Sequence, residues 1–220
     1  MASARTTATD DKAVLHRYLQ AARDALLWKV EGLDERAARW PWTPTGTNLL
    51  GLVKHAAGVE VGYFGQTFGR EWPNPDEMPW TADDAEADAD MWATADEPVH
   101  AVVDLYRRVW AFADETIATR DLGATGRVPW WPAERADVTL LQVMAHVTGD
   151  LARHAGHADV LRELTDGSAG LRADDDNLSL RSAADRSRHV DRLRAVADEA
   201  QRRAGAPGGA RGPEGSSPHD

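Results

Sequence analysis

Apolar residues recur at three- and four-residue intervals in four stretches of the chain, the spacing of helices with one buried face. The first stretch holds Leu15, Tyr18, Leu19, Ala22, Leu26 and Val30. Asp10 and Asp11 favour a helix start there, and Gly32 ends it. The second begins after Thr47 or Asn48, either of which can cap it, and buries Leu49, Leu52, Ala56, Val59 and Tyr63. Gly51 and Gly58 weaken this helix by about 1 kcal/mol each relative to alanine. Seven apart, they lie nearly on one line, which predicts close packing by a neighbouring helix. Pro98 suits the first turn of the third helix, whose stripe runs from Val99 through Val102, Val103, Tyr106, Val109, Trp110 and Ala113 to Ile117. The fourth runs from Thr139 to Gly167, with Leu140, Met144, Val147, Leu151, Ala155, Ala158 and Leu161 on its inner face. Thr139 is its expected cap, and Gly167 sits where a left-handed C-terminal residue is wanted.

The segments between are connections. Residues 33–46 contain Pro41 and Pro44, which forbid a continuous helix, and carry Trp40 and Trp42 as plugs for one end of a bundle, or alternatively as pocket walls. Residues 69–97 pass from a proline-rich run into an acidic one, and Trp72, Trp80 and Trp92 are expected to pin them down. Residues 121–132 form a further loop with Trp130 and Trp131. The pattern predicts an all-α fold, a four-helix bundle with long loops and a C-terminal extension. Its parts are a bundle over 10–178, an extra helix over 179–204 with a thin apolar face, and a disordered tail over 205–220.

Composition narrows the chemistry. There is no cysteine, so disulfides, thiolate ligands and a cysteine nucleophile are excluded. A net charge of −11 argues against nucleic acid and anionic membranes as partners. No apolar run reaches the roughly 18 residues of a membrane span, and the N-terminus lacks the apolar core of a secretory signal. A cytoplasmic protein is expected, and the Ala, Arg, Asp and Gly bias points to a GC-rich, actinobacterial genome. The acidic run lacks the glycine and the closing glutamate of a calcium loop, and reads as a solvated loop or short surface helix.

The fourth helix holds the candidate site. At about 100° per residue, His154 falls inside the apolar stripe, Asp150 and His157 on its edge, and His146 further round. His154 and His157, three apart, are neighbours on the helix surface. His55 lies on the edge of the second helix's inner face, and Glu60 within it. A carboxylate there is costly unless it is paired or metal-bound. Histidines with carboxylates in a bundle interior suit zinc or nickel, with Asp150, Glu60 or Asp159 orienting the rings. His16, His100, His189 and His219 read as ordinary surface or packing residues.

The blocks LLGLVKHAAGVE followed by VGYFGQTF, then WATADEP, then ARHAGHADVLRELTDG resemble the DinB-like superfamily over residues 10 to 178. The nearest branch is a domain of unknown function, related to mycothiol-dependent maleylpyruvate isomerase and to thiol S-transferases. The resemblance implies a four-helix bundle, a homodimer, and a divalent metal held by a histidine of the second helix and two ligands of the last. It also implies a low-molecular-weight thiol such as mycothiol as cosubstrate and a small electrophile as substrate. Carried onto this chain, the second-helix ligand is His55. The last helix offers either His154 with His157 or Asp150 with His154. The first pair keeps two histidines, so the expected set is His55, His154 and His157. The second resembles the Glu-x-x-x-His of the isomerase branch, with Asp150 as the alternative third ligand. The rival reading is a non-catalytic dimeric bundle with a structural or vestigial metal site.

Overall fold

The computed structural model describes residues 4–82, 84–175, 178–179 and 182–205. The chain divides into two compact units, residues 1–176 and 177–220. The first is the helical bundle, built from α1 (Ala4–Leu27), α2 (Glu35–Arg39), α3 (Leu49–Glu60), α4 (Val99–Thr119) and α5 (Leu140–Asp166), with a small hairpin of β1 (Thr125–Arg127) and β2 (Asp137–Thr139). The second contains α6 (Ala183–Gly205), whose first turn is held by the Ser182 hydroxyl accepting from the Asp185 N–H at 3.0 Å. The expected tail over 205–220 lies outside the described residues, save Gly205 at the end of α6. No helix among the described residues is long and apolar enough to cross a membrane.

The four long helices of the first unit are the four predicted stretches. α1 packs along α5, α5 along α3, and α3 along α4. Leu19 and Leu26 of α1, Leu50 and Val53 of α3, Tyr106 and Val109 of α4, and Met144, Val147 and Leu151 of α5 are fully buried between them. The ring is closed from α4 back to α1 by polar contacts. Lys12 Nζ donates to the carbonyls of Ile117 (2.9 Å) and Arg120 (3.0 Å), free acceptors at the negative end of α4.

Glu60 sits entirely inside this bundle, and its partner is a cation of α1. Arg23 Nη2 donates to Glu60 Oε2 at 2.5 Å, Arg23 Nε donates to both carboxylate oxygens at 3.1 Å, and Tyr106 Oη donates to Oε1 at 2.9 Å. Arg23 also donates to Asp114 at 2.7 Å, and His16 meets the same carboxylate at 2.9 Å. Burial pushes the Glu60 carboxyl above its usual range, against the pull of Arg23. Burial also works against the Arg23 guanidinium, but the two carboxylates outweigh it and raise Arg23 further. We take the pair as ionised, because three donor groups converge on Glu60 and a guanidinium keeps its proton in proteins.

Two elements depart from the loop expectation. Residues 35–39 form a short helix, because Asp34 caps it, accepting from the Ala37 N–H at 2.7 Å. Residues 125–139 form the antiparallel hairpin, with Thr125 opposite Thr139 and Arg127 opposite Asp137. The last residue of β2 is Thr139, so the hairpin hands the chain directly into α5. Trp40 is partly exposed beneath Arg36, and Trp42 packs against the core. Of the three tryptophans expected to pin residues 69–97, Trp72 is buried against Phe112 and Trp80 is partly buried, whereas the Trp92 ring is 45% exposed.

Candidate metal centre

Two helices present the site. At the start of α5, the Thr139 hydroxyl accepts from Gln142 N–H and the Gln142 side chain accepts from Thr139 N–H at 2.8 Å, a reciprocal cap. Gly167 ends the helix in the left-handed conformation, at φ 79°. Thus anchored at both ends, α5 turns its apolar stripe inward and leaves Asp150 and His154 at the edge that meets α3. α3 is capped by Asn48, which accepts from Gly51 N–H at 2.7 Å. Just past its end, Val61–Gly65 widens into a π-helical turn, a feature frequent at functional sites.

His55, Asp150 and His154 converge. One ligand atom from each lies within 4.8 Å of the others. The rings of His55 and His154 meet edge-on with centroids 4.8 Å apart. His154 Nε2 lies 3.5 Å from Asp150 Oδ1, an ion-pair distance rather than a short hydrogen bond. The neighbouring His154 imidazole holds the Asp150 carboxyl below the usual carboxylate range, against the opposing effect of burial, with His55 and His146 adding to the pull. The other nitrogen of His154, Nδ1, is buried with no hydrogen-bond partner among the described residues.

The remaining predicted residues fall elsewhere. His157 is exposed, its ring centroid 5.8 Å from that of His154, and it lies outside the converging group. Glu60 is taken by Arg23 and Tyr106, so it orients no imidazole. Asp159 pairs with Lys29 at 2.5 Å. The carboxylate that does hold a site imidazole is Asp90, from the acidic run, whose Oδ2 lies 2.6 Å from His55 Nδ1. That contact, opposed by burial, lowers the Asp90 carboxyl below its usual range. Nothing in the local pattern distinguishes Asp90 from the acids around it. His146 lies outside the buried stripe, yet it lines the cavity beside Asp150 and packs on Tyr63 and Trp131. The signal available for it was spacing, four residues before Asp150 and eight before His154, along one side of the helix.

A cavity of about 400 Å³ opens beside His55 and Asp150. Trp80 and Trp130 form walls, His146 and Tyr63 line another side, and Gly58 and Gly62 form part of its floor. The glycines matter because they let other groups approach α3. A Cβ on Gly62 would sit 2.7 Å from the Trp130 ring, and one on Gly51 would sit 1.9 Å from the Met91 carbonyl oxygen. What approaches this face of α3 is therefore the acidic loop and two tryptophans, not a neighbouring helix as the glycine spacing suggested.

Two imidazoles and a carboxylate are the donor set that a divalent first-row ion such as zinc takes. Two donors at 2.1 Å from a tetrahedral ion lie about 3.4 Å apart, so a group already within 4.8 Å closes on one by small rotations. The donor set fits a divalent ion.

The family model for mycothiol-S-transferase matches residues 14–167. The match spans α1 through the end of α5 and so includes every residue of the converging group. No curated protein matches the chain.

Proposed function

The chain belongs to the mycothiol-S-transferase family, and from that premise we propose that it joins a low-molecular-weight thiol of the mycothiol type to a small electrophile. The observation that supports this reading is the convergence of His55, Asp150 and His154 beside a cavity walled by tryptophan rings. In this reading the three side chains hold a zinc or nickel ion, with Asp150 rather than His157 as the third ligand. Such an ion lowers the pKa of a thiol bound to it, supplying a thiolate at neutral pH.

The chain's own residues do the rest. His55 and His154 would each offer an imidazole nitrogen, and Asp150 the negative charge that favours a cation. Trp80 and Trp130 exclude water and offer flat apolar faces to an electrophile of aromatic or alkyl character. Trp131 Nε1 donates to Tyr63 Oη at 3.0 Å, which leaves the phenol proton available to the cavity. Reaction forms a carbon–sulfur bond as the electrophile's bond to its leaving group breaks, the leaving group taking the electron pair and the thiol proton passing to solvent or to that group. The chain acts as a homodimer in this account, and Val160 and Leu164, largely exposed one turn apart on α5, supply apolar surface for a second copy.

The test is direct. Purified chain loaded with zinc or nickel is mixed with mycothiol and a small alkylating electrophile, and the conjugate is followed by mass and by loss of free thiol. Conjugate formation above the uncatalysed rate, lost in folded His55→Ala and His154→Ala, supports the reading. A metal-loaded chain that forms no conjugate with any tested electrophile refutes it and leaves the non-catalytic bundle.

A further inference from the structure

The acidic loop is laid along one face of α3, and its contacts fall at regular intervals. Asn48 Nδ2 donates to the Met91 carbonyl at 3.1 Å, and the bare Cα of Gly51 lets that carbonyl come close. Lys54 Nζ, only 4% exposed, donates to the Trp92 carbonyl at 3.0 Å and to Glu97. Its ammonium also lies 4.2 Å from the centroid of the Trp80 ring. Positions 48, 51, 54, 55 and 58 are one stripe of a helix. Asp90 sits inside this strapped segment, immediately before Met91, and its carboxylate reaches His55 at 2.6 Å.

An ionised carboxylate has no proton to give, so the short contact requires that His55 Nδ1 carry the hydrogen and donate it. In a neutral imidazole the lone pair is then on Nε2. Resting on the metal-centre reading above, we propose that Asp90 is a positioning residue. It accepts the Nδ1 proton of His55 and so presents Nε2 to a divalent cation shared with Asp150 and His154. The strap along α3 exists, in this account, to deliver that carboxylate. Carboxylate–imidazole–metal relays fix ring orientation and raise ligand basicity, and losing the outer partner typically weakens metal binding by about 10- to 100-fold.

Two measurements on the full chain test this. In the metal-free protein, long-range nitrogen–proton NMR reads the His55 tautomer. The wild type is expected to be Nδ1-protonated, and Asp90→Ala to lose that preference. In parallel, zinc affinity is measured by competition with a chromophoric chelator. Asp90→Ala and Asp90→Asn are expected to bind about 10- to 100-fold more weakly, while Glu86→Gln, which removes a loop charge with no contact to His55, stays within about twofold. Thermal melts establish that each variant is folded. Zinc affinity of Asp90→Ala within about twofold of wild type, or an Nε2-protonated His55 in the wild type, overturns the proposal. If the wild type shows the expected tautomer and yet binds no zinc, the metal reading fails while the assignment of Asp90 to His55 is upheld.

Discussion

Replacing Gly51 by alanine separates helix propensity from the close approach of the acidic loop. In a helix interior this change stabilises by up to about 1 kcal/mol when the space is free. Here the new Cβ lies 1.9 Å from the Met91 carbonyl oxygen and 2.5 Å from its carbon. An ordinary carbon–oxygen contact is about 3.3 Å, so the loop must retreat by about 1.4 Å. That breaks the 3.1 Å bond from Asn48 to the same oxygen, a loss of about 1 kcal/mol. It also adds overpacking strain of about 1 to 3 kcal/mol. Set against the propensity gain, the net expectation is destabilisation by about 1 to 3 kcal/mol, or a fall in Tm of roughly 2 to 4 °C per kcal/mol for a chain of this size. Gly58→Ala is the internal comparison on the same helix. Its Cβ would lie 3.4 Å from Trp80 Nε1, an ordinary contact, so it should be neutral or mildly stabilising. Urea unfolding of both variants is the assay. A Gly51→Ala protein as stable as, or more stable than, the wild type would refute the loop's placement against α3, and with it the route by which Asp90 reaches His55.

Other outcomes follow from the same contacts. Arg23→Met leaves Glu60 buried without its cation and should destabilise by about 3 to 5 kcal/mol, whereas the double variant Arg23→Met with Glu60→Leu should recover much of the loss in urea titrations. Burial alone would raise the Glu97 carboxyl, but Lys54 and the Thr94 N–H hold it below its ordinary value of 4.5. A carboxyl lowered in the folded state contributes stability above its unfolded pKa and loses it as pH falls through the folded one. Wild type should therefore exceed Glu97→Gln in stability by about 1 to 2 kcal/mol at neutral pH, and chemical denaturation should show the gap closing as pH drops below about 4.5. Trp130→Ala removes a cavity wall without touching a ligand, so steady-state assays of thiol transfer should show a higher KM with zinc affinity unchanged.

Much of the fold was legible in the sequence because it is written locally. The four apolar stripes, the Thr139–Gln142 cap and the left-handed Gly167 each depend on residues within a few positions of one another. The hairpin escaped notice because three-residue strands are too short to show an alternating pattern. The short helix at residues 35–39 was hidden by the prolines that follow it, although Asp34 was a usable cap signal. At the candidate site, helical faces together with the family resemblance put forward His55 and His154, which the structure brings together with Asp150, the alternative to His157. The rest is tertiary. A carboxylate at Glu60 needs either a cation or a metal, and only the fold shows that Arg23, 37 residues away, fills that need. Asp90 was one acid among many until the loop's course along α3 set it against His55.

The central claim is that His55, Asp150 and His154 form one cation site, and metal stoichiometry in tag-free protein tests it most directly. The account predicts about one zinc or nickel ion per chain after loading, lost in His55→Ala and His154→Ala, weakened in Asp150→Asn and retained in His157→Ala. A chain that takes up no ion, or one in which His157→Ala abolishes binding while Asp150→Asn leaves it intact, would contradict it.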